Sequence, residues 1–142
     1  MKSLVEQTKE LLEALELNFS WDEEDEVFRL RFDMDNAKIN VTIACNEDKM
    51  LLINQAWLPI TLPVEKKTAI LYAINKIHYE WYTRAHLYMD EDDNNLVAKC
   101  MLDIPDAGLG VLGEDIFAGF LTSTCRLLDD HFKEIMAVAF GA

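Results

Sequence analysis

Residues 64–102 constrain the fold more than any other part of the sequence, because the spacing of their apolar side chains changes from helical to strand-like. Residues 64–84 carry apolar side chains three and four positions apart, a pattern typical of an amphipathic helix. Residues 84–90 and 95–102 then alternate apolar and polar side chains, as strands with one buried face do. The acidic run between these segments predicts a hairpin turn. The whole stretch therefore indicates a mixed α+β fold.

The segments before this stretch predict one helix and a three-stranded meander. Residues 3–15 have helical apolar spacing, and Ser3 with Glu6 has the spacing of a capping box. Asn18 is predicted to end this helix, and the acidic residues 22–26 are predicted to form a solvated loop. Residues 27–32, 39–45 and 50–57 alternate with period two, and both faces of the third segment are partly apolar, which predicts a central or covered strand.

The C-terminal segment completes the predicted fold. Residues 116–139 keep helical apolar spacing over about seven turns, which predicts one long final helix. The predicted order is α-β-β-β-α-β-β-α, with an antiparallel sheet packed against helices. A chain of 142 residues is long enough to bury one substantial core, so residues 1–142 are expected to form a single α+β domain.

Charge and composition exclude several classes of partner. The formal net charge is -13 and the pI is near 4.5, which disfavours nucleic acid and anionic membranes because both are bound through Lys and Arg. The sequence shows neither a signal-peptide pattern nor an apolar run of the ~20 residues that cross a bilayer. Three cysteines without CxxC spacing indicate neither a disulfide framework nor a zinc site. A cytoplasmic protein is therefore expected.

No catalytic, cofactor or metal signature is present in the sequence. The sequence has three histidines, His78, His86 and His131. No two of them, and none of them together with a cysteine, have the sequence spacing of metal ligands. The acidic residues 22–26 and 90–93 lack the spacing of a calcium loop, and the glycines of residues 108–113 lack that of a dinucleotide site. We therefore expect a protein that is not an enzyme and that binds no cofactor or metal.

Aromatic and apolar side chains exceed what one core obviously needs, which makes a protein interface the leading interpretation. Each aromatic residue taken alone favours a place in the core, and only the group as a whole indicates an interface. The predicted interface residues are Trp57, Tyr72, Tyr79, Tyr82, Leu121, Met136 and Phe140. Dimerisation is the first candidate for the use of this surface.

Three segments of the sequence resemble a known family. They are LLEALELNF, RLRFDMDNAKINV and AILYAINKIHYEWYTRAHLYMDEDDNNLVAKCMLDIP. Their hydrophobic and turn patterns are similar to those of the YbjN-like family of bacterial sensory-transduction regulators, whose fold is that of the type III secretion chaperones. The resemblance covers nearly the whole chain. It implies a homodimeric, acidic, non-enzymatic protein that binds another protein or regulates through one. Type III secretion chaperones are similarly small and acidic, and they bind an extended segment of an effector through hydrophobic grooves and strand addition.

Two hypotheses of function follow. The first is a protein-binding module, either a chaperone-like protein or a regulatory adaptor, that acts as a homodimer. The alternative is a small-ligand sensor or an enzyme, with a pocket between the sheet and the helices that converges on the histidines.

Overall fold

A computed structural model of the protein describes residues 2–81 and 83–141. The helices are α1 (Leu4–Ala14), α2 (Lys67–Glu80), α3 (Gly113–Asp130) and α4 (Phe132–Phe140). The strands are β1 (Ser20–Asp22), β2 (Val27–Asp33), β3 (Lys38–Asn46), β4 (Leu51–Thr61), β5 (His86–Met89) and β6 (Asn95–Asp103). Single turns of 3₁₀ helix at Val64–Lys66 and Leu109–Val111 precede α2 and α3.

The six strands form one antiparallel sheet in the order β1-β2-β3-β4-β6-β5. The predicted α+β class, the meander and the second hairpin are confirmed, and β4 is central as its two partly apolar faces predict. Strand β1 is an addition, since no strand was predicted before residue 27 and Asp22 was assigned to the acidic loop. The ring of Trp21 lies 4.8 Å from that of Phe28 between centroids, and this contact holds the short strand against β2.

The two faces of the sheet have different surroundings because successive side chains of a strand point to opposite sides. One face carries Phe28, Ile43 and Cys100 in register and is covered by the helices. We call the other face the open face; its residues include Arg29, Arg31, Thr42, Gln55, Trp57, Val97, Lys99, Met101, His86 and Tyr88. The predicted division of each strand between the two faces is confirmed.

Helix α2 packs against α4 and the edge strand β5, and its side chains Ile70, Ile74 and Ile77 are buried. The apolar pattern also predicts Leu71 and Trp81 on the buried side, and this part of the prediction is wrong. Both side chains are exposed. The helix ends at Glu80, so Trp81 already has extended backbone and leaves the helical face.

Helix α1 begins and ends with local hydrogen bonds. The Ser3 hydroxyl accepts from the Glu6 N–H at 3.1 Å, as the predicted cap requires. At the other end Glu16, rather than Asn18, takes the left-handed conformation with φ 56°. The Leu17 N–H then donates to the Leu12 carbonyl at 3.1 Å, which is the 6→1 bond of a Schellman motif. The predicted end at Asn18 is therefore wrong.

The predicted single final helix is also divided. His131, with φ -107° and ψ 7°, separates α3 from α4. The break allows α4 to pack against α2, where Ile135 and Ala139 join the core. Just before it, the Asp129 carboxylate accepts from the Asn36 N–H at 2.8 Å, and the Asn36 side chain donates to the Asp129 carbonyl at 3.2 Å. The end of α3 is thereby tied to the β2–β3 turn.

Candidate protein interface

His78 has a structural role between α2 and β5. Its Nε2 accepts from the Leu87 N–H at 3.0 Å, so the ring proton lies on Nδ1. Nδ1 is 3.5 Å from the Thr83 hydroxyl oxygen, which is placed to accept a hydrogen bond from the Nδ1–H group. With both ring nitrogens engaged, His78 orients the loop that leads into β5.

His131 is buried where α3 meets α4, with its Nδ1 beside the Glu134 carboxylate. Its ring meets that of Trp81 edge-on, with centroids 5.4 Å apart. His86, on the open face, has its pKa lowered by burial and by the nearby charge of Lys99. Of the three histidines, His131 lines a cavity of about 440 Å³ beside α3, and neither His78 nor His86 is among the residues that line it.

The cysteine thiols are free and lie in apolar surroundings. Burial raises the pKa of Cys125 to about 11. Burial also raises the pKa of Cys45, whose Sγ lies 3.6 Å from the Thr8 hydroxyl. These environments favour the neutral thiol over the reactive thiolate.

Metal-ligating side chains are dispersed over the structure. Across residues 2–81 and 83–141, no three His, Cys, Asp or Glu side chains are grouped so that they could hold a metal ion. In the same residues, no helix is both long enough and apolar enough to cross a membrane.

Two predicted interface residues form one surface on α2. Tyr72 is 74% exposed and Tyr79 is 89% exposed. Both point away from the buried side of the helix and, seven residues apart, lie on one line along it, whereas the exposed Leu71 lies to the side of that line. We call Leu71, Tyr72 and Tyr79 the outer α2 face. Two almost fully exposed tyrosines beside a leucine on one helix are typical of an interaction surface.

Trp57 lies elsewhere, near the centre of the open face. It is half-buried between Asn40 of β3 and Val97 of β6, its partners in register. The helices lie on the opposite side of the sheet, with α3 over β4 and β6 and α2 beside β5. The predicted interface residues are therefore divided between two surfaces.

The remaining predicted interface residues do not extend either surface. Leu121 is only 2% exposed, so its predicted place on a free surface is wrong. This part of α3 lies directly on the sheet, where the buried Asn54 amide donates to the Leu121 carbonyl at 3.1 Å. Met136 is half-buried against the core, and Phe140 is exposed near the end of α4. Tyr82 lies outside the described residues.

A groove of about 350 Å³ runs along the open face beside Trp57. Its apolar lining includes Trp57, Tyr88 and Val97. The Gln55 amide donates to the Tyr88 hydroxyl at 2.9 Å, and burial raises the pKa of Tyr88. Asp25, Asp90 and Asp93 also line this groove, with Arg29, Thr42 and Asn95. The alternation of β5 indicates the side on which Tyr88 lies, but its approach to Trp57 depends on the strand order.

The edge of the sheet beside β1 is only partly paired. Ser20–Asp22 pair with the first three residues of β2, which leaves residues 30–33 without a described partner on that side. A surface cavity of about 700 Å³ adjoins this edge and is lined by Phe19, Ser20 and Arg31 among others. Unpaired strand edges can accept an additional strand.

Comparison with known proteins identifies the fold through solved structures alone. No family model matches the sequence, and no curated protein matches it. The complex of ExsC with ExsE matches with a TM-score of 0.66 and 16% identity, over 94% of this chain and 97% of that one. YbjN from E. coli, described as a candidate transcription regulator, matches with a TM-score of 0.60 and 14% identity, over 92% and 86%.

A third similar structure is the HopA1–SchA chaperone–effector complex, with a TM-score of 0.46 and 14% identity over 80% of this chain and 86% of that one. The first two matches extend over nearly the whole chain and agree with the α+β architecture. The protein has the YbjN-like, type III secretion chaperone-like fold.

Proposed function

We propose that the protein is a non-enzymatic protein-binding module, a chaperone-like protein or a regulatory adaptor, that acts as a soluble cytoplasmic homodimer. Its partner would bind as an extended segment on the open face. The outer α2 face would join the two copies.

The open face carries this proposal. Trp57 and Val97 lie on it in register with Tyr88, yet the helices pack on the opposite side. A sheet covered on one side only normally has a polar second side. Here the second side has the expected polar residues, among them Arg29, Thr42 and Lys99, but it also carries Trp57, Tyr88 and the exposed Met101, a mixture typical of protein interfaces. The ExsC–ExsE complex shows that a protein of this fold can be part of a protein complex.

The partly unpaired β2 edge supports a bound segment that continues from the open face to the edge of the sheet, since a strand added there would lie about 14 Å, three strand spacings, from Trp57. The N–H and C=O groups of an added strand could pair with residues 30–33, in line with the short β1. Side chains of that strand would then alternate between the open face and the opposite side.

The outer α2 face supports the homodimer. Tyrosine is enriched among the residues that carry binding energy, and a stable interface buries about 800 Å² on each partner. Tyr72 and Tyr79 would lie at the centre of such an interface, with Leu71 beside them. An isologous contact places the same helix of the second copy against this face.

The alternative of a ligand pocket between the sheet and the helices has less support. Buried apolar side chains from both layers fill that space, including Leu52, Ala98 and Phe117. His78 is engaged in structural contacts, and His131 lines a cavity of about 440 Å³ beside α3 that neither His78 nor His86 lines.

A photo-crosslinking experiment in native lysate tests partner binding at the open face. A photoreactive phenylalanine analogue is placed at Met101, an exposed residue of this face. We expect a discrete protein adduct that an analogue at Glu13, on the exposed side of α1, does not produce. Equal labelling at both positions, or no adduct at Met101, would contradict the proposed function.

A further inference from the structure

Two acidic segments that are distant in the sequence line the same groove. Asp25 belongs to the β1–β2 loop, and Asp90 and Asp93 belong to the β5–β6 turn. The sequence alone treats both segments as solvated turns. The sheet brings their carboxylates to one groove, in which Trp57 and Tyr88 supply aromatic rings.

The charge of this groove is only partly compensated. Arg29 is its one cationic lining residue, and its guanidinium is bound to Asp22 at 2.9 Å and to Asp25 at 2.8 Å. Within residues 2–81 and 83–141, neither Asp90 nor Asp93 has a Lys, Arg or His at ion-pair distance. One Asp90 oxygen accepts from the N–H groups of the turn, which fixes its position without neutralising it. The lining therefore keeps excess negative charge.

The uncharged lining suits a planar cation. A guanidinium can lie against the ring of a tryptophan or tyrosine while it donates hydrogen bonds at its edge. Trp57 and Tyr88 offer such rings, and the free oxygen of Gln55, whose amide nitrogen is bound to Tyr88, is an additional acceptor. An anionic group would meet three carboxylates against one already paired arginine in a protein of net charge -13.

We propose that this groove binds an arginine side chain of the partner's extended segment. The inference rests on the proposed function, since it names the chemistry that the open face recognises. The guanidinium lies against the ring of Trp57, and its N–H groups donate to Asp93 and Asp90. The acidity of the two loops thus selects basic partner segments as well as keeping the protein soluble.

A pair of synthetic peptides tests this inference on the full chain. The peptide Thr-Val-Thr-Arg-Thr-Val-Thr, acetylated and amidated, is compared with its citrulline counterpart, which has nearly the same shape without the charge. Binding is followed by NMR through the indole N–H signal of Trp57, which is assigned with Trp57→Phe. We expect the arginine peptide to shift this signal at a concentration at least about fivefold lower than the citrulline peptide needs for the same shift. This is the factor expected for one contact between unit charges.

Two variants of the same turn provide the matched comparison. Asp93→Asn removes a charge that lines the groove, whereas Asp92→Asn removes one that does not. We expect Asp93→Asn to weaken binding of the arginine peptide about three- to fivefold and Asp92→Asn to leave it nearly unchanged. Equal effects of the two variants would mean that binding depends on the overall negative charge of the protein and not on the groove, which would overturn the inference.

The peptide experiments test the arginine inference, whereas the crosslinking experiment tests the proposed function. Equal shifts by the arginine and citrulline peptides would overturn the arginine inference and leave binding of an extended segment in place. No shift of the Trp57 signal by the arginine peptide would also overturn the inference. Loss of the Met101 adduct would instead contradict the proposed function itself.

Discussion

Glu16 occupies a backbone conformation that favours glycine, with φ 56° at the end of α1. A residue with a Cβ is strained there by roughly 1–2 kcal/mol, partly offset by the greater freedom of glycine in the unfolded chain. We therefore expect Glu16→Gly to raise the free energy of unfolding by about 0.5–1 kcal/mol, measured by urea denaturation. Glu13→Gly, one turn earlier and helical, is the control and is expected to lower it by about 0.5–1 kcal/mol. Destabilisation by both changes would contradict this account of the helix end.

Cys125 gives the folded state a pH dependence in alkaline solution. Burial raises its pKa to about 11 from an ordinary value of 9.0, so between these pH values the unfolded chain loses the thiol proton while the folded chain keeps it. Proton release favours unfolding, and this group lowers the stability by up to about 1.4 kcal/mol per pH unit. We expect Cys125→Ala to show a shallower fall in stability between pH 9 and 11. Parallel curves for the two proteins would contradict the shift.

At the scale of elements, the tie between α3 and the β2–β3 turn is the contact to test. Asp129 is buried and accepts the Asn36 N–H at 2.8 Å, so its loss leaves that donor without its partner. We expect Asp129→Ala to destabilise the protein by about 1.5–3 kcal/mol, the range for hydrogen bonds to charged groups. Asp130→Ala, at the exposed neighbouring position, is the control and is expected to change stability by less than about 0.5 kcal/mol. Equal losses would contradict a specific role for the tie.

The elements differ in how well the sequence predicts them. The faces of β2 to β6 follow directly from alternation, because a half-buried strand must place its apolar residues on one side. Strand β1 has only three residues, too few for alternation to indicate a strand, and its pairing depends on tertiary contacts of Trp21. The break at His131 is not marked by a helix-breaking Pro or Gly, and the helical apolar spacing continues on both sides of it.

At the scale of the whole molecule, the groove depends on the order of the strands. Trp57 and Tyr88 lie on strands that do not pair with each other, and β6 between them carries Val97 in register with both. Alternation identifies the face of each residue but not which strands become neighbours. The sequence therefore predicts Trp57 as an interface residue and misses Tyr88, Gln55 and the convergence of the two acidic loops.

The proposed homodimer predicts that thermal stability depends on protein concentration. Mass action favours an associated folded state, so a tenfold rise in concentration adds about 1.4 kcal/mol per dimer and raises Tm by about 2 °C. We expect Tyr72→Ser with Tyr79→Ser to abolish this dependence and to halve the mass in light scattering, because the change removes the aromatic rings of the outer α2 face. Lys9→Ser with Lys133→Ser, at exposed helical positions on α1 and α4, is the control and is expected to keep both properties. A concentration-independent Tm together with a monomeric mass of 16.3 kDa for the unmodified protein would contradict the dimer and leave the outer α2 face available to the partner instead.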